Sequence, residues 1–499
     1  MTALATVLLA AAFTRAMERV STIDPAQSRS VYDTHAIGLV YEKALEIDYK
    51  ARPYRLAPGF CELPEVSPDG LLYRFRRRAS QSGSACGLTL RDMARGLERL
   101  RDPEEASPNG WMMKDVDTVS VSGDDVLEIR LRRRCHYFPW LMAMCATAVR
   151  GPNGEGSGPY ELAHWRRNHE MVFRRRAGFR GERAANGFDE VRYLVVDDAS
   201  TQWLMFLKGE IDFLGEIARD NWDSIVGEGG RLDPSLAAQG VRLLSMPAFE
   251  TMYVGVNMKD PVLGPNRKLR QALNAAFDYP AWEKFYNGRI ERCGGPVPPG
   301  IAGRIETPFA YAFDLGLARR LIAEAGYPNG IDPKTGRRLT LTLSIGRASQ
   351  ESREAGELMA AFYEKIGIRL ELDFKTWDAF MRAVNDGHVQ LYRMGWVGDY
   401  PDAQNFLQLF LSRNASPGPN HSLYANADFD AEYEAALEAA TEEERNARWM
   451  RCQEIVREDC PWVFTHHPKS FFLVRPTVGN FVPTCFPDGA EKWYEAKGR

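Results

Sequence analysis

The chain lacks any apolar stretch that could span a bilayer as a helix, which takes about 20 residues. Its clearest apolar run, Ala3–Phe13, is too short for that role and contains the small residues Ala10–Ala12, which resemble a signal-peptide cleavage site. A basic residue normally precedes such a run, but the first basic residue here is Arg15. We therefore expect either a degenerate export signal, residues 1–12, or the first buried element of the fold. A lipid anchor is not expected, because the first cysteine is Cys61.

The sequence also lacks the residue spacings that bind metals. Its eight cysteines include no CxxC pair, which argues against a zinc ribbon or a thioredoxin-type site. The eight histidines are scattered, and the side chains of the adjacent pair His466 and His467 diverge in either a strand or a helix. We therefore expect no metal site and no cofactor, and we expect most cysteines to be buried thiols.

There is little excess charge of either sign. The 63 lysines and arginines against 67 acidic residues give a net charge of −4, which offers no electrostatic reason for a nucleic-acid partner. The locally basic runs Arg74–Arg78 and Arg130–Arg134 lie in or after alternating apolar residues. They indicate strands with one solvated face.

Recognisable catalytic motifs are missing as well. The segment Gly154–Gly158 reads GEGSG, which fits neither the G-x-S-x-G elbow of a hydrolase nor a phosphate loop ending in G-K-[ST]. Carboxylates are abundant, but no pair is singled out by its position. We therefore do not expect an enzyme, and a hydrolase is the less favoured alternative.

What the sequence does contain is the pattern of a mixed α/β protein. Thr89 and Asp92 form a capping box ahead of an amphipathic helix, and Asp314 caps a second helix. The segments Leu339–Ile345 and Ile368–Phe374 alternate apolar and polar residues and flank a helical pattern. Since 499 residues are too many for one ordinary core, we expect two or three lobes.

A series of short motifs runs in a characteristic order along most of the chain. They are Ile23-Asp24-Pro25, Val40-Tyr41-Glu42, Asp69-Gly70 with Tyr73-Arg74-Phe75, Leu88-Thr89, Leu97-Glu98-Arg99, Asp102-Pro103, Gly156–Tyr160, Gly209–Asp212, Leu269–Leu273, Pro296–Gly300 and Ala323–Pro328. Each motif is weak alone. In this order they resemble the peptide/nickel-type periplasmic solute-binding proteins of ABC importers, known as extracellular solute-binding protein family 5.

The resemblance implies an α/β fold of the periplasmic-binding-protein type (type II, cluster C), which is a two-lobed clamp with an extra domain. It places residues 13–55, 156–250 and 465–499 in lobe I, residues 56–155 in the extra domain and residues 251–464 in lobe II. By comparison with the family, the stretch between Phe75 and Gly156 in the extra domain looks shortened and lacks the family's aromatic turn, and Ala79–Gly87, rich in Ser and Gly, stands in its place.

The segment Arg393–Asp402 resembles the part of peptide-binding members that carries an acidic residue pairing with the α-ammonium of the ligand. Asp399 occupies that position, and a carboxylate at a strand end can accept charge-assisted hydrogen bonds from an ammonium. Trp396 would offer an aromatic face, and Arg393 a fork for a ligand carboxylate or backbone oxygens. The alternative for Asp399 is a turn residue before Tyr400-Pro401.

Four further residues are candidates for ligand contacts: Asn257, Tyr32, Tyr400 and Trp377. Asn257 follows a predicted strand and would either meet the ligand backbone or satisfy local backbone groups. Tyr32 is placed near the ligand by the resemblance alone. Tyr400 and Trp377 would line the cavity, although such aromatic residues more often belong to the core.

By this resemblance the chain captures a dipeptide or oligopeptide in a cleft between two lobes and delivers it to an ABC permease in the inner membrane. We expect a periplasmic monomer that does not change its ligand chemically. Other ligand classes stay open, namely oligosaccharides stacked on aromatic faces, opines and nickel chelates. A transcription regulator is disfavoured, because no helix-turn-helix pattern precedes Asp24.

Overall fold

The computed structural model describes residues 11–79, 87–123, 125–215, 217, 221–227 and 231–498. The chain forms two compact units, one comprising the residues up to Met246 and from Ser470 onwards, and one comprising Pro247–Lys469. The expected division into lobe I, lobe II and an extra domain of residues 56–155 stays a prediction.

Unit 1 contains most of the strands. They are β1 (Ala12–Met17), β2 (Leu45–Ile47), β3 (Leu56–Pro58), β4 (Glu65–Val66), β5 (Leu72–Arg76), β6 (Val116–Ser122), β7 (Val126–Leu131), β8 (Tyr160–Arg166), β9 (Glu170–Arg175), β10 (Glu190–Val195), β11 (Phe213–Leu214), β12 (Val226–Gly227), β13 (Arg231–Leu232) and β14 (Arg242–Pro247). Its helices are α1 (Val31–Val40), α2 (Leu90–Arg101), α3 (Phe138–Leu141), α4 (Ala199–Lys208), α5 (Trp222–Ile225) and α6 (Pro234–Ala238).

The main sheet of unit 1 has the order β11-β1-β10-β9-β8. Strand β1 runs parallel to both of its neighbours, and its central residue Arg15 lies beside Tyr193 of β10 and Phe213 of β11. Because side chains alternate along a strand, Arg15 shares one face of β1 with the buried residues Phe13 and Met17. The register therefore places a guanidinium on the core face, between two aromatic rings.

The apolar run at the N-terminus lies partly within this sheet. Residues 1–10 of the expected signal segment lie outside the described residues. Ala12 begins β1 and Phe13 is only 1% exposed. The end of the run is therefore part of the core, which is what the buried-element alternative expects.

A second sheet of unit 1 has the order β4-β5-β7-β6 and packs with α2. The capping box of α2 is confirmed, since Thr89 and Asp92 exchange hydrogen bonds between side chain and backbone. In the expected loop Ala79–Gly87, residues 80–86 lie outside the described residues.

Unit 2 contains β15 (Glu250–Val256), β16 (Ile290–Arg292), β17 (Thr340–Ile345), β18 (Arg369–Phe374), β19 (Leu391–Val397) and most of β20 (Trp462–Val474). Its helices are α7 (Arg267–Ala276), α8 (Tyr279–Phe285), α9 (Leu315–Glu324), α10 (Gln350–Glu364), α11 (Trp377–Asn385), α12 (Gln404–Leu407), α13 (Ala427–Glu438) and α14 (Glu442–Asp459). The chain then returns to unit 1 and ends with β21 (Val478–Gly479) and β22 (Glu495–Ala496).

The sheet of unit 2 has the order β18-β17-β19-β15-β20. Strand β17 is parallel to β18 and β19, whereas β15 is antiparallel to β19 and β20. The predicted cap of α9 is confirmed, because the Asp314 carboxylate accepts a hydrogen bond from the Leu317 N–H at 2.9 Å. The main core of the unit lies on the face of the sheet covered by α7, α9 and α10.

No helix in the described part of the chain is long and apolar enough to cross a membrane. Cys61, Cys135, Cys145, Cys293, Cys452 and Cys460 are buried free thiols, as predicted.

Candidate functional site

The segment that carries Asp399 lies at the carboxyl end of β19, a central strand of unit 2. After the strand ends at Val397, the N–H of Gly398 donates a hydrogen bond to the carbonyl of Phe249 at 2.8 Å. A side chain at Gly398 would overlap the Phe249 ring, so only glycine allows the chain to turn this closely against that ring. The turn brings the next residue, Asp399, beside the start of α12.

Asn405 on α12 holds this turn together and is completely buried. Its Oδ1 accepts hydrogen bonds from the backbone N–H of Asp399 at 3.1 Å and from Nε1 of Trp396 at 3.0 Å. Its Nδ2 donates to Oδ2 of Asp399 at 3.1 Å. One amide therefore fixes both the backbone and the carboxylate of Asp399 and orients the indole of Trp396.

The Asp399 carboxylate is mostly buried, and burial raises its pKa above the ordinary value of 3.8, although the hydrogen bond from Asn405 works in the opposite direction. Among the residues that the structure describes, no lysine, arginine or histidine forms an ion pair with it. A carboxylate removed from water without a cation is costly unless it is protonated or finds a positive partner. The one side-chain hydrogen-bond partner of this carboxylate in the described chain is therefore the neutral amide of Asn405.

Arg393, expected to lie with Asp399, faces the other side of the sheet. It lies opposite Val254 of the core face of β15, and its Nη2 donates to the hydroxyl of Tyr286 at 2.7 Å. Its guanidinium carbon lies 5.9 Å from the ring centroid of Trp282. Side chains alternate along β19, so those of Arg393 and Trp396 lie on opposite faces of the sheet. The structure therefore brings Trp396 and Asp399 together and separates Arg393 from them.

Tyr400 and Asn257 are tied into the interior of unit 2. Tyr400 is 2% exposed, and its hydroxyl donates to Oε1 of Gln404 at 2.5 Å. The Nδ2 of Asn257 donates to the carbonyls of Gly387 and Val389 at 2.9 and 2.8 Å. Its Oδ1 accepts from the Lys259 N–H at 2.9 Å, so the amide serves the local backbone, as its alternative expects.

Neither Trp377 nor Tyr32 belongs to the hydrogen-bonded group formed by Asn405, Trp396 and Asp399 in the described chain. Trp377 is the first residue of α11 and is 58% exposed, with its ring centroid 5.6 Å from that of Phe380. Tyr32 belongs to α1 in unit 1, where it lines a cavity together with Arg15 and His35.

Sequence reasoning missed Asn405, the residue on which the geometry at Asp399 depends. A signal for it exists in the sequence, because Gln404 and Asn405 are two polar residues directly before the apolar pair Phe406-Leu407. Buried polar side chains in such a position are usually hydrogen-bonded to something specific. Arg15 was missed in the same way, as a lone charge between apolar residues of a strand.

Comparison with known proteins identifies the family of the chain. The chain is 26% identical over 491 residues to Heme-binding protein A of Haemophilus influenzae, covering 90% of this chain and 85% of the relative. It is 25% identical over 505 residues to a probable di/tripeptide-binding protein 5 of Pseudomonas aeruginosa, covering 93% and 91% of the two chains. The solved structure of HbpA2 from Haemophilus parasuis superposes with a TM-score of 0.82 at 21% identity, over 97% of this chain and 100% of the other.

The likeness to solved structures confirms the predicted two-lobed α/β fold of the periplasmic-binding-protein type. The sequence profile described as "Bacterial extracellular solute-binding proteins, family 5 Middle" matches residues 55–418, well over half of the chain. This match confirms the resemblance inferred from the ordered motifs. The chain belongs to the bacterial extracellular solute-binding proteins of family 5.

Proposed function

We propose that the protein captures short peptides by their free N-terminal ammonium, with Asp399 as the ionic partner, and hands them to an ABC permease in the inner membrane. It acts in the periplasm as a monomer and releases the peptide chemically unchanged. The observation that carries the proposal is the carboxylate of Asp399, which is mostly buried, held by Asn405 and not paired with a cation of the described chain.

An ammonium suits this carboxylate for a physical reason. It offers three N–H donors and a full positive charge, and charge-assisted hydrogen bonds to a carboxylate are roughly twice as strong as neutral ones. Asn405 already occupies one position on Oδ2, so the remaining lone pairs of Asp399 are available to the ligand. The half-buried indole of Trp396, fixed by the same amide, can pack against the first residue of the peptide.

The comparisons support a peptide more than the other named ligand. One relative is named as a di/tripeptide-binding protein, and its similarity spans nearly all of both chains. Haem, which appears in the name of another relative, carries carboxylates and no ammonium. Such a ligand offers Asp399 no ammonium to pair with, whereas a peptide does, so Asp399 favours the peptide.

The proposal is tested by titrating tri-alanine into the wild-type protein and into Asp399→Asn in a calorimeter. Losing one partner of a buried, hydrogen-bonded charge pair costs about 2–5 kcal/mol, so the variant should bind roughly 30-fold to several thousand-fold more weakly. Mass spectrometry of the recovered peptide should show it intact.

Glu357→Gln is the matched control, because it removes one negative charge from an exposed position on α10 of the same unit. It should bind tri-alanine as the wild type does. If Asp399→Asn also binds tri-alanine with unchanged affinity, Asp399 is not the ammonium partner and the proposal fails.

A further inference from the structure

A polar cavity lies within unit 1. A cavity of about 200 Å³ is lined by Arg15, His35 and Tyr32 on one hand and by aromatic rings on the other, namely Phe213, Phe472 and Phe481. These three rings contact one another, with centroids 5.4 to 5.9 Å apart. The cavity thus has a cationic part and an aromatic part.

Arg15 reaches this cavity because of the register of β1. It lies between Tyr193 and Phe213 on the core face, and its guanidinium carbon is 5.0 Å from the Phe213 ring centroid. Only 13% of its side chain is exposed. A largely buried guanidinium is expected to have most of its five N–H groups hydrogen-bonded.

The hydrogen bonds of Arg15 fall far short of that expectation. Within the described ranges, the guanidinium makes one hydrogen bond, from Nη1 to Oε1 of Glu491 at 3.4 Å, and its buried Nε has no partner. Glu491 in turn accepts a shorter bond, 2.9 Å, from the hydroxyl of Tyr193. Glu491 therefore satisfies only one of the N–H groups of the Arg15 guanidinium.

His35, on α1, is a second buried polar side chain that lines the cavity. It is 6% exposed and lines the cavity, and its Nδ1 has no hydrogen-bond partner among the residues described. Burial and the neighbouring Arg15 lower the pKa of His35 well below its ordinary value, so the ring is neutral at physiological pH. Buried polar atoms without partners are rare in native proteins and point to a missing ligand or water.

Other charges near the cavity do not cancel the arginine. Glu18 also lines the cavity, but it is exposed, so solvent and salt screen it. Glu491 is fully buried and already bonded to Tyr193. The planar guanidinium matches a carboxylate through two parallel N–H···O bonds, which no other anionic side chain around the cavity makes with Arg15 in the described chain.

The aromatic rings that line the cavity favour a ligand with a nonpolar ring. An apolar cavity of roughly 150 Å³ holds a benzene molecule, so one of this size can hold a six-membered ring with a short polar group. We infer that the cavity of unit 1 binds a small aromatic carboxylate, with its carboxylate on Arg15 and its ring among Phe213, Phe472 and Phe481.

The probe for this inference is N-acetyl-L-phenylalanine, compared with N-acetyl-L-phenylalaninamide. The acid has the ring, the carboxylate and an N–H that can reach His35, and it has no ammonium for Asp399. We expect the wild-type protein to bind the acid at least about tenfold more tightly than the amide in calorimetry, since hydrogen bonds to a charged group are the stronger ones. Equal affinity for acid and amide would overturn the inference.

The protein variants locate the binding. The double variant Arg15→Met/Glu491→Gln removes the cation without leaving a buried lone carboxylate, and it should bind acid and amide equally weakly. Asp399→Asn should keep the preference for the acid, which separates this inference from the proposed peptide site. A preference for the acid that survives the loss of Arg15 in a folded double variant would contradict it.

A crystallographic experiment on the wild-type protein tests the inference even if the variants do not fold. Crystals soaked in N-acetyl-L-phenylalanine should show the carboxylate within hydrogen-bond distance of the Arg15 guanidinium. Density for the acid elsewhere, with none in this cavity, would overturn the inference as well.

Discussion

Asp399 in unit 2 is a mostly buried carboxylate and Glu491 in unit 1 is a fully buried one; burial raises the pKa of both, yet their surroundings differ. Glu491 has Arg15 at 3.4 Å and the hydroxyl of Tyr193 at 2.9 Å. Asp399 has one neutral amide, that of Asn405. The Glu491 carboxylate therefore has a cationic partner in the described chain and the Asp399 carboxylate does not, and on the proposed function the ligand supplies that cation.

The largest effect on stability should come from removing Arg15, the cation of the Arg15–Glu491 pair. Arg15→Met leaves Glu491 buried and without its cation, and breaking such a pair typically costs about 3–5 kcal/mol of stability. Denaturant unfolding of the ligand-free protein measures this loss. Arg15→Lys, which keeps the charge, should lose clearly less, and an equal loss in both variants would show that the charge of the pair is not what matters.

Removing the Asn405 amide, which holds the Asp399 carboxylate, should cost less stability. Asn405→Ala leaves the Trp396 indole N–H and the Asp399 backbone N–H without their acceptor. Because both residues are half-buried, water can partly replace it, and we expect a total loss of about 1–3 kcal/mol of stability. The same unfolding experiment measures it. Asn446→Ala, a half-buried asparagine on α14, serves as the control and should change stability by less than about 0.5 kcal/mol.

The smallest effect has the opposite sign and depends on pH. The pKa of Asp399 is raised in the folded state, so the folded state binds this proton more tightly than the unfolded one, and the ionised carboxylate weakens folding above that pKa. Asp399→Asn should therefore be more stable than the ligand-free wild type at neutral pH. The difference should shrink as the pH falls through the raised pKa of Asp399 towards 3.8.

Thermal melting of both proteins across this range checks the prediction. A variant that is less stable than the wild type at neutral pH would mean that the carboxylate is satisfied inside the protein. Asp399 would then resemble Glu491, and the contrast between the two units would disappear.

Much of the fold could be predicted because its signals are local. The capping box at Thr89 and the cap at Asp314 depend on residues three positions apart, and both helices begin where those residues place them. The family could be predicted because its motifs keep their order along the chain. Asp399 could be singled out only through that resemblance, since the local pattern equally fits a turn.

The partners of the site could not be predicted, because they depend on how distant segments fold together. Arg393 looked close to Asp399 in sequence, but the alternation of β19 turns it to the opposite face, where Tyr286, the residue after α8, accepts its hydrogen bond. Asn405 gains its role only when α12 folds back beside the end of β19. The cavity at Arg15 joins a strand, a helix and a C-terminal segment that are far apart in the chain.

The central claim is that Asp399 recognises a free ammonium, and a thermodynamic cycle tests it most directly. Tri-alanine and its N-acetylated form are titrated into the wild type and into Asp399→Asn. The account predicts that acetylation weakens binding to the wild type by about 2–5 kcal/mol and binding to the variant by less than about 1 kcal/mol. An equal loss in both proteins would mean that the carboxylate and the ammonium do not meet.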